Sequence, residues 1–292
     1  MTTSRIAWQN SDPPGRCFIK MQGLRNHFVI VDGREDPYHP DRDEIVNVCD
    51  PQIGVGGDQL VIIEPPSSEG AKFGACAFMR LLNVDGRDVE ACGNATRCVA
   101  RLLMDESGID AVSIETRAGM LECQREDDQQ ISCDMGKISM DWRTIPLSEE
   151  RDTLHLGLAS GVLSDPVCLN IGNPHVVFFV DEMDSIDLER LAPVIQKDKL
   201  FPNEVNVGLA QMTDSGNMRL VVYERGAGLT TACGSGACVA VFAAIARGLT
   251  KAREMNVLMP AGLVNIEIQP DDTAVMTGPA EYCFTGYLPG AR

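Results

Sequence analysis

The sequence predicts an α/β protein of two similar domains related by internal duplication, each a curled mixed β-sheet around a central apolar helix. Three observations carry that expectation. Short β-type runs dominate both halves of the chain. One stretch, Ser235 to Ala246, is apolar on nearly every face, and a helix of that kind must be surrounded by protein. Short motifs also recur in the same order in the two halves. Met79-Arg80-Leu81 precedes the turn Ala91-Cys92-Gly93-Asn94, as Met218-Arg219-Leu220 precedes Ala232-Cys233-Gly234-Ser235. Cys98-Val99-Ala100 follows the first turn as Cys238-Val239-Ala240 follows the second. Gly23-Leu24-Arg25-Asn26-His27-Phe28 stands before a valine-rich strand, as does Ile171-Gly172-Asn173-Pro174-His175.

Taken in order, residues 1–16 are polar, contain Asp12-Pro13-Pro14-Gly15 and read as a flexible extension without the apolar segment of a signal peptide. A first domain follows over 17–134, with strands around Phe18–Met21, Phe28–Val31, Leu60–Ile63 and Met79–Leu82. Turn pairs such as Asp32-Gly33 and Asp85-Gly86 punctuate them. Helices are expected from Asp41 to Cys49 and from Gly93 to Met104. The joint falls near Asp134-Met135-Gly136. In the second domain, 135–278, strands are expected around Val176–Val180, Arg219–Tyr223 and Leu263–Ile268. Helices are expected from Ile186 to Gln196, despite Pro193, and from Gly234 to Arg247, where Gly248 supplies the stop. Residues 279–292 are expected to return to the first domain as a strand.

With 292 residues, 44% of them hydrophobic, two ordinary cores can be buried. The net charge of -17 argues against nucleic acid and anionic membrane as partners. The longest apolar run, Ala237 to Ala246, is far shorter than the ~18 residues of a membrane span. Eleven cysteines, an odd number without C-x-x-C spacing, point to reduced thiols and a cytoplasmic protein. Cys17, Cys49, Cys76, Cys123, Cys133, Cys168 and Cys283 lie in strand-like or apolar settings and read as small buried hydrophobes.

Cys92 and Cys233 differ, because each stands at the head of a helix. Free N–H groups and the helix dipole favour negative charge there, so a thiolate becomes accessible near neutral pH. The glycine after each cysteine lets a ligand approach the backbone, and the same N–H groups can hold a substrate carboxylate. One thiol from each half suits two-base chemistry, in which one sulfur removes a proton from a carbon and the other returns one to the opposite face. Three other readings stand beside it: buried packing residues, metal ligands with Cys98 and Cys238, or a redox pair. Cys92 and Cys98 sit roughly 240° apart around a helix, which disfavours the metal. Gly54-Val55-Gly56-Gly57-Asp58-Gln59 fits neither the dinucleotide nor the P-loop spacing and reads as a turn that brings Gln59 to a ligand.

From about Cys17 to Tyr287 the chain resembles the diaminopimelate epimerase family, cofactor-independent enzymes that interconvert LL- and meso-diaminopimelate. The motifs that carry the resemblance are Gly23 to Phe28, Gly54 to Gln59, Asn83-Val84-Asp85-Gly86, Cys92-Gly93-Asn94 with Arg97-Cys98, and Gly172-Asn173-Pro174-His175. Asn203 to Gly208, Tyr223 to Gly228 and Ala232 to Cys238 complete them. By that resemblance Cys92 and Cys233 are the acid/base pair, in a site between the domains. Asn26, Gln59, Asn83, Asn173, Asn206, Glu224 and Arg225 would bind an amino-acid substrate, and Gly93, Asn94, Gly234 and Ser235 would donate at the helix heads. His175 and Glu224 would tune the thiols, and neither PLP nor a metal is needed. Family members pair through the C-terminal strand, which implies a homodimer with Phe284 at the contact. The chain departs from the family pattern at Arg25, His27, Ala95, Thr96 and Leu229, so a racemase for another amino acid is the alternative; a thiol-redox or ligand-sensing protein is another.

Overall fold

The computed structural model describes residues 15–89 and 92–289. The expected extension therefore lies outside the described residues except for Gly15 and Arg16. Those two already belong to the first strand, where they pair with Pro289 and Leu288. The chain divides into two compact units. One holds the described residues up to Ile131 together with those from Pro279 onward; the other is Ser132–Gly278.

In the first unit the sheet runs Glu281–Pro289, Gly15–Gly23, Asn26–Asp32, Gln59–Glu64, Ala75–Asn83, Ala111–Thr116 and Gly119–Arg125. Successive pairings are antiparallel, antiparallel, parallel, antiparallel, parallel and antiparallel. The second unit runs Val167–Asn170, Pro174–Phe179, Asn206–Met212, Asn217–Glu224, Glu254–Met259, Gly262–Ile268 and Thr273–Pro279. Its pairings are antiparallel, parallel, antiparallel, parallel, antiparallel and antiparallel. From the second strand of the first unit's sheet onward, the alternation matches that of the second unit strand for strand, which is the duplication expressed as topology. The mixed α/β fold of two similar domains is as the sequence predicts.

In each unit, parallel strands demand crossovers, and helices supply them. The helix Gly93–Ser107 links Ala75–Asn83 to its parallel neighbour, and Gly234–Ala246 does the same after Asn217–Glu224. Each packs against several strands of its own unit, so that the sheet curls about it. Gly234–Ala246 is buried on nearly every face and rich in Gly and Ala, which lets the sheet approach closely. A Cβ at Gly236 would stand 2.9 Å from Val222 Cγ2. The outer face of each sheet has its own helix. Val29, Val31, Leu60, Ile62 and Leu82 pack on Ile45, Val48 and Cys49 of the helix Arg42–Cys49. Val176, Phe178, Val207 and Leu209 pack on Leu188, Ala192 and Ile195 of Leu188–Gln196. Strands buried on both faces explain the near-continuous apolar runs in the sequence.

Helix starts differ from expectation for a local reason. Asp41 is an N-cap, accepting from the Glu44 N–H at 2.9 Å, and Asp187 caps Leu188–Gln196 in the same way. Such caps contribute about 1 kcal/mol each and put the first helical residue directly after the cap, one position past the expected start at Asp41 and two past that at Ile186. The two-residue turn between the first strands places Leu24 at φ 53° and Arg25 at φ 58°. Both lie in the left-handed region that a tight hairpin of this kind requires, at roughly 1–2 kcal/mol per non-glycine residue.

Candidate functional site

The candidate residues of each unit gather at one edge of its sheet, and topology dictates this. Parallel strands start at the same edge, an intervening antiparallel strand ends there, and the crossover helix that follows has its N-terminus there. In the first unit Asn26 begins its strand and Gln59 begins the parallel neighbour. Asn83 ends the next strand, directly opposite Gln59 in register. In the second unit Asn173 precedes Pro174–Phe179, Asn206 begins the parallel strand opposite His175, and Glu224 ends the antiparallel one. The duplication thus supplies two equivalent sets of polar side chains.

Cys92 is the N-cap of Gly93–Ser107, in extended backbone at φ -146° and ψ 114°. Ala91 lies outside the described residues. Cys92 Sγ donates to Asn26 Oδ1 at 3.8 Å, and Asn94 Nδ2 donates to the same oxygen at 3.4 Å. Gln59 Nε2 donates to Asn83 Oδ1 at 3.0 Å, while Gln59 Oε1 is buried without a partner. Gly93 is the first residue of the helix and Asn94 is buried in its first turn.

Cys233 is likewise the N-cap of Gly234–Ala246, at φ -136° and ψ 102°. Its backbone N–H points to Met259 Sδ at 3.3 Å, and its sulfur lies 3.6 Å from Ser235 Oγ. Neither cysteine helix carries an acidic residue in its first turn, so the positive helix ends are not neutralised locally. The expectation of a lowered Cys233 pKa is overturned, however. Burial pushes this thiol well above its ordinary range, and the Glu224 carboxylate adds to the rise. With 5% of its surface exposed, the sulfur loses more from desolvation than the helix end returns.

His175 Nε2 sits 3.0 Å from Asn173 Oδ1, 3.1 Å from Ser235 Oγ and 3.3 Å from Asn206 Nδ2. Burial lowers its pKa to about 3, with the Arg225 guanidinium contributing, so the imidazole is neutral at physiological pH. The Arg225 N–H donates to Asn206 Oδ1 at 2.8 Å, which turns the Asn206 amide nitrogen toward the imidazole. Arg225 Nη1 rests on the Asn203 carbonyl at 2.8 Å. Glu224 Oε1 accepts from the Thr230 hydroxyl at 2.6 Å. Because Glu224 raises Cys233, Glu224→Gln is expected to let the Cys233 thiolate form at lower pH. Alkylation of the Cys233 peptide across a pH series reads this, and an unmoved profile would count against the coupling.

Sequence reasoning missed several members of these networks. Asp58 Oδ2 accepts from Asn26 Nδ2 at 2.9 Å and from the His27 N–H at 2.7 Å. Arg97, wholly buried, donates from Nη2 to Asn94 Oδ1 at 2.6 Å and from Nε to the Pro279 carbonyl at 3.3 Å. Thr230 and Met259 complete the second unit's set. Asp58 beside Gln59, and a charged Arg97 inside a buried helix, were the available signals. At the departures, Arg25 and Leu229 are exposed, and His27 Nδ1 is buried without a partner. Ala95 and Thr96 are fully buried, the Thr96 hydroxyl donating to the Cys92 carbonyl at 3.0 Å. Phe284 stands on the C-terminal strand, half exposed, 6.0 Å edge-on from Phe18 and beneath the Lys20 ammonium at 5.4 Å. None of the eleven cysteines is in a disulfide, and Cys76 and Cys283, expected to be buried, are exposed on their strands. Among the described residues no group of three His, Cys, Asp or Glu side chains is placed to hold a metal, and no helix is long and apolar enough to cross a membrane.

The family model described as diaminopimelate epimerase matches residues 18–140 and 167–283. A diaminopimelate epimerase of Rhodospirillum centenum is 44% identical over 94% of this chain and 92% of its own. One of Phenylobacterium zucineum is 43% identical over 94% of this chain and 98% of its own. Among solved structures, a hydroxyproline epimerase from Agrobacterium vitis with bound trans-4-OH-L-proline superposes with TM-score 0.63, at 14% identity, over 96% of this chain and 94% of that one. That likeness concerns the fold alone.

Proposed function

The chain belongs to the diaminopimelate epimerase family, and from that premise we propose that it is an isomerase that inverts one α-carbon of diaminopimelate, interconverting the LL and meso forms. The observation that carries the proposal is the 44% identity to a diaminopimelate epimerase across 94% of the chain. Equivalent helix-head cysteines in the two repeats support it. Cys92 and Cys233 are the acid/base pair: one enters as thiolate, the other as thiol, and they exchange protonation states on each turnover. The helix-head N–H groups at Gly93-Asn94 and Gly234-Ser235 hold the carboxylate next to the reacting carbon, and stabilise the charge that spreads into it as the proton leaves. Asn26, Gln59, Asn83, Asn173, Asn206, Glu224 and Arg225 bind the ammonium and carboxylate groups. The unpartnered Gln59 Oε1 is an acceptor ready for an ammonium. Arg225 supplies a guanidinium, and neutral His175 keeps the Cys233 neighbourhood free of a second cation. The product serves lysine and peptidoglycan-precursor synthesis in the cytoplasm. The protein works as a homodimer through Phe284 and Tyr287, both half exposed on the C-terminal strand; a monomer in sedimentation at micromolar concentration would end that part.

The test is solvent-deuterium incorporation into LL-diaminopimelate by the reduced protein, without PLP and with a chelator present. Deuterium at the α-carbon together with meso product is expected. Absence of both, with titratable thiols confirmed, would overturn the proposal; exchange on another amino acid would then identify a racemase of the same fold.

A further inference from the structure

In the first unit, four polar side chains form a hydrogen-bond series with a sense of direction. Arg97 Nη2 donates to Asn94 Oδ1 at 2.6 Å, Asn94 Nδ2 to Asn26 Oδ1 at 3.4 Å, and Asn26 Nδ2 to Asp58 Oδ2 at 2.9 Å. Each asparagine amide alone could be turned either way, since oxygen and nitrogen occupy similar space. The ends remove that freedom. A guanidinium only donates, so Asn94 must show Arg97 its oxygen and show Asn26 its nitrogen. An ionised carboxylate only accepts, so Asn26 must show Asp58 its nitrogen and turn its oxygen inward. Both ends are themselves anchored. Arg97 is fully buried and also donates to the Pro279 carbonyl, and Asp58 Oδ2 accepts the His27 N–H at 2.7 Å.

We propose that Asp58 and Arg97 are positioning residues that set the direction of this series and so hold Asn26 Oδ1 as a hydrogen-bond acceptor against the Cys92 thiol. The Cys92 sulfur lies 3.8 Å from that oxygen. An acceptor at this place favours S–H over thiolate; the amide reversed would offer N–H and favour thiolate. The series therefore keeps Cys92 protonated in the absence of substrate. A substrate group that takes over Asn26 Oδ1, such as an ammonium, removes that preference, so that Cys92 gives its proton to solvent and becomes the entering thiolate while Cys233 stays the thiol. This deepens the acid/base reading of Cys92 and rests on it, but the hydrogen-bond direction can be tested without turnover.

The experiment is the pH profile of iodoacetamide alkylation at the Cys92 peptide, followed by mass spectrometry in the reduced full-length protein. With Asn94→Ala in the background, so that the Arg97 end no longer holds Asn26, Asp58→Asn lets the Asn26 amide reverse, and the apparent pKa of Cys92 is expected to fall by about one unit relative to Asn94→Ala alone, a tenfold gain in thiolate at fixed lower pH. Removal of a negative charge would by itself act in the same direction. Asn26→Ala separates the two causes. In that background Asp58→Asn is expected to shift the profile less than about threefold, because the amide that transmits the effect is gone. An equal shift in both backgrounds would reduce Asp58 to a distant charge and overturn the proposal, as would no downward shift in the first. Asp58→Ser is read identically if Asp58→Asn does not melt like the parent. Because alkylation needs no substrate, a wrong substrate assignment leaves the result intact.

Discussion

Cys92→Ala and Cys233→Ala are each expected to lose inversion of LL-diaminopimelate by about 10³-fold or more, while melting close to the parent. The magnitude follows from general acid/base catalysis, which supplies roughly 10²–10⁴-fold per positioned group, and from the demand that inversion places on both groups at once. An epimerisation that adds a proton to the face opposite the one it left cannot proceed with a single thiol unless water substitutes. The folding cost is small by comparison. Cys233 is nearly buried, so its sulfur leaves a small cavity worth about 1 kcal/mol, and half-buried Cys92 leaves less. Meso formation is followed by stereochemical analysis, with thermal melts alongside. Full epimerisation by either variant would sink the two-base mechanism, and loss of the fold in both would require the serine variants instead.

The largest expected stability effect lies at Gly54. A Cβ there would stand 1.8 Å from the Asn47 carbonyl oxygen and 2.9 Å from that of Val48. The obstacle is backbone at the end of the helix Arg42–Cys49, which cannot rotate aside. The segment is also tied to that helix end: the Val55 and Gly56 N–H groups donate to the Val48 carbonyl and Gly57 to that of Cys49. Gly54→Ala must lift the segment and break some of these bonds. The expected cost is about 3 kcal/mol, the upper part of the range for overpacking, since lost hydrogen bonds add to the clash. Because Asp58 and Gln59 follow directly, KM should rise as well. Urea unfolding and substrate saturation measure the two effects, and a variant with parental stability would show that the segment does not need this close approach.

Much was legible because the chemistry is local. A Cys-Gly turn before an apolar helix places a thiol at a helix head whatever surrounds it, and Cys92 and Cys233 are both N-caps. The duplication was legible because repeated motifs stand at repeated positions of the topology, which is why Asn26 and Asn173, or Gln59 and Asn206, fall at matching strand starts. What was misread is long-range. The Cys233 pKa was expected to be low from the helix end alone, yet burial and Glu224 push it up, and both arise from chain segments outside the helix. Asp58 and Arg97 were passed over because Asn26 lies 32 residues from Asp58 and the Pro279 carbonyl 182 residues from Arg97, and only the folded edge gives those contacts a direction.

The sequence by itself determined the fold class, the repeat and the two cysteines at helix heads, since periodicity, punctuation and Cys-Gly turns are properties of neighbouring positions. Only the tertiary structure decided the protonation of Cys233, the neutrality of His175 and the direction in which the Asn26 amide points. Desolvation and hydrogen-bond sense depend on which distant groups share a small volume, and that is settled when the sheet curls around its helix.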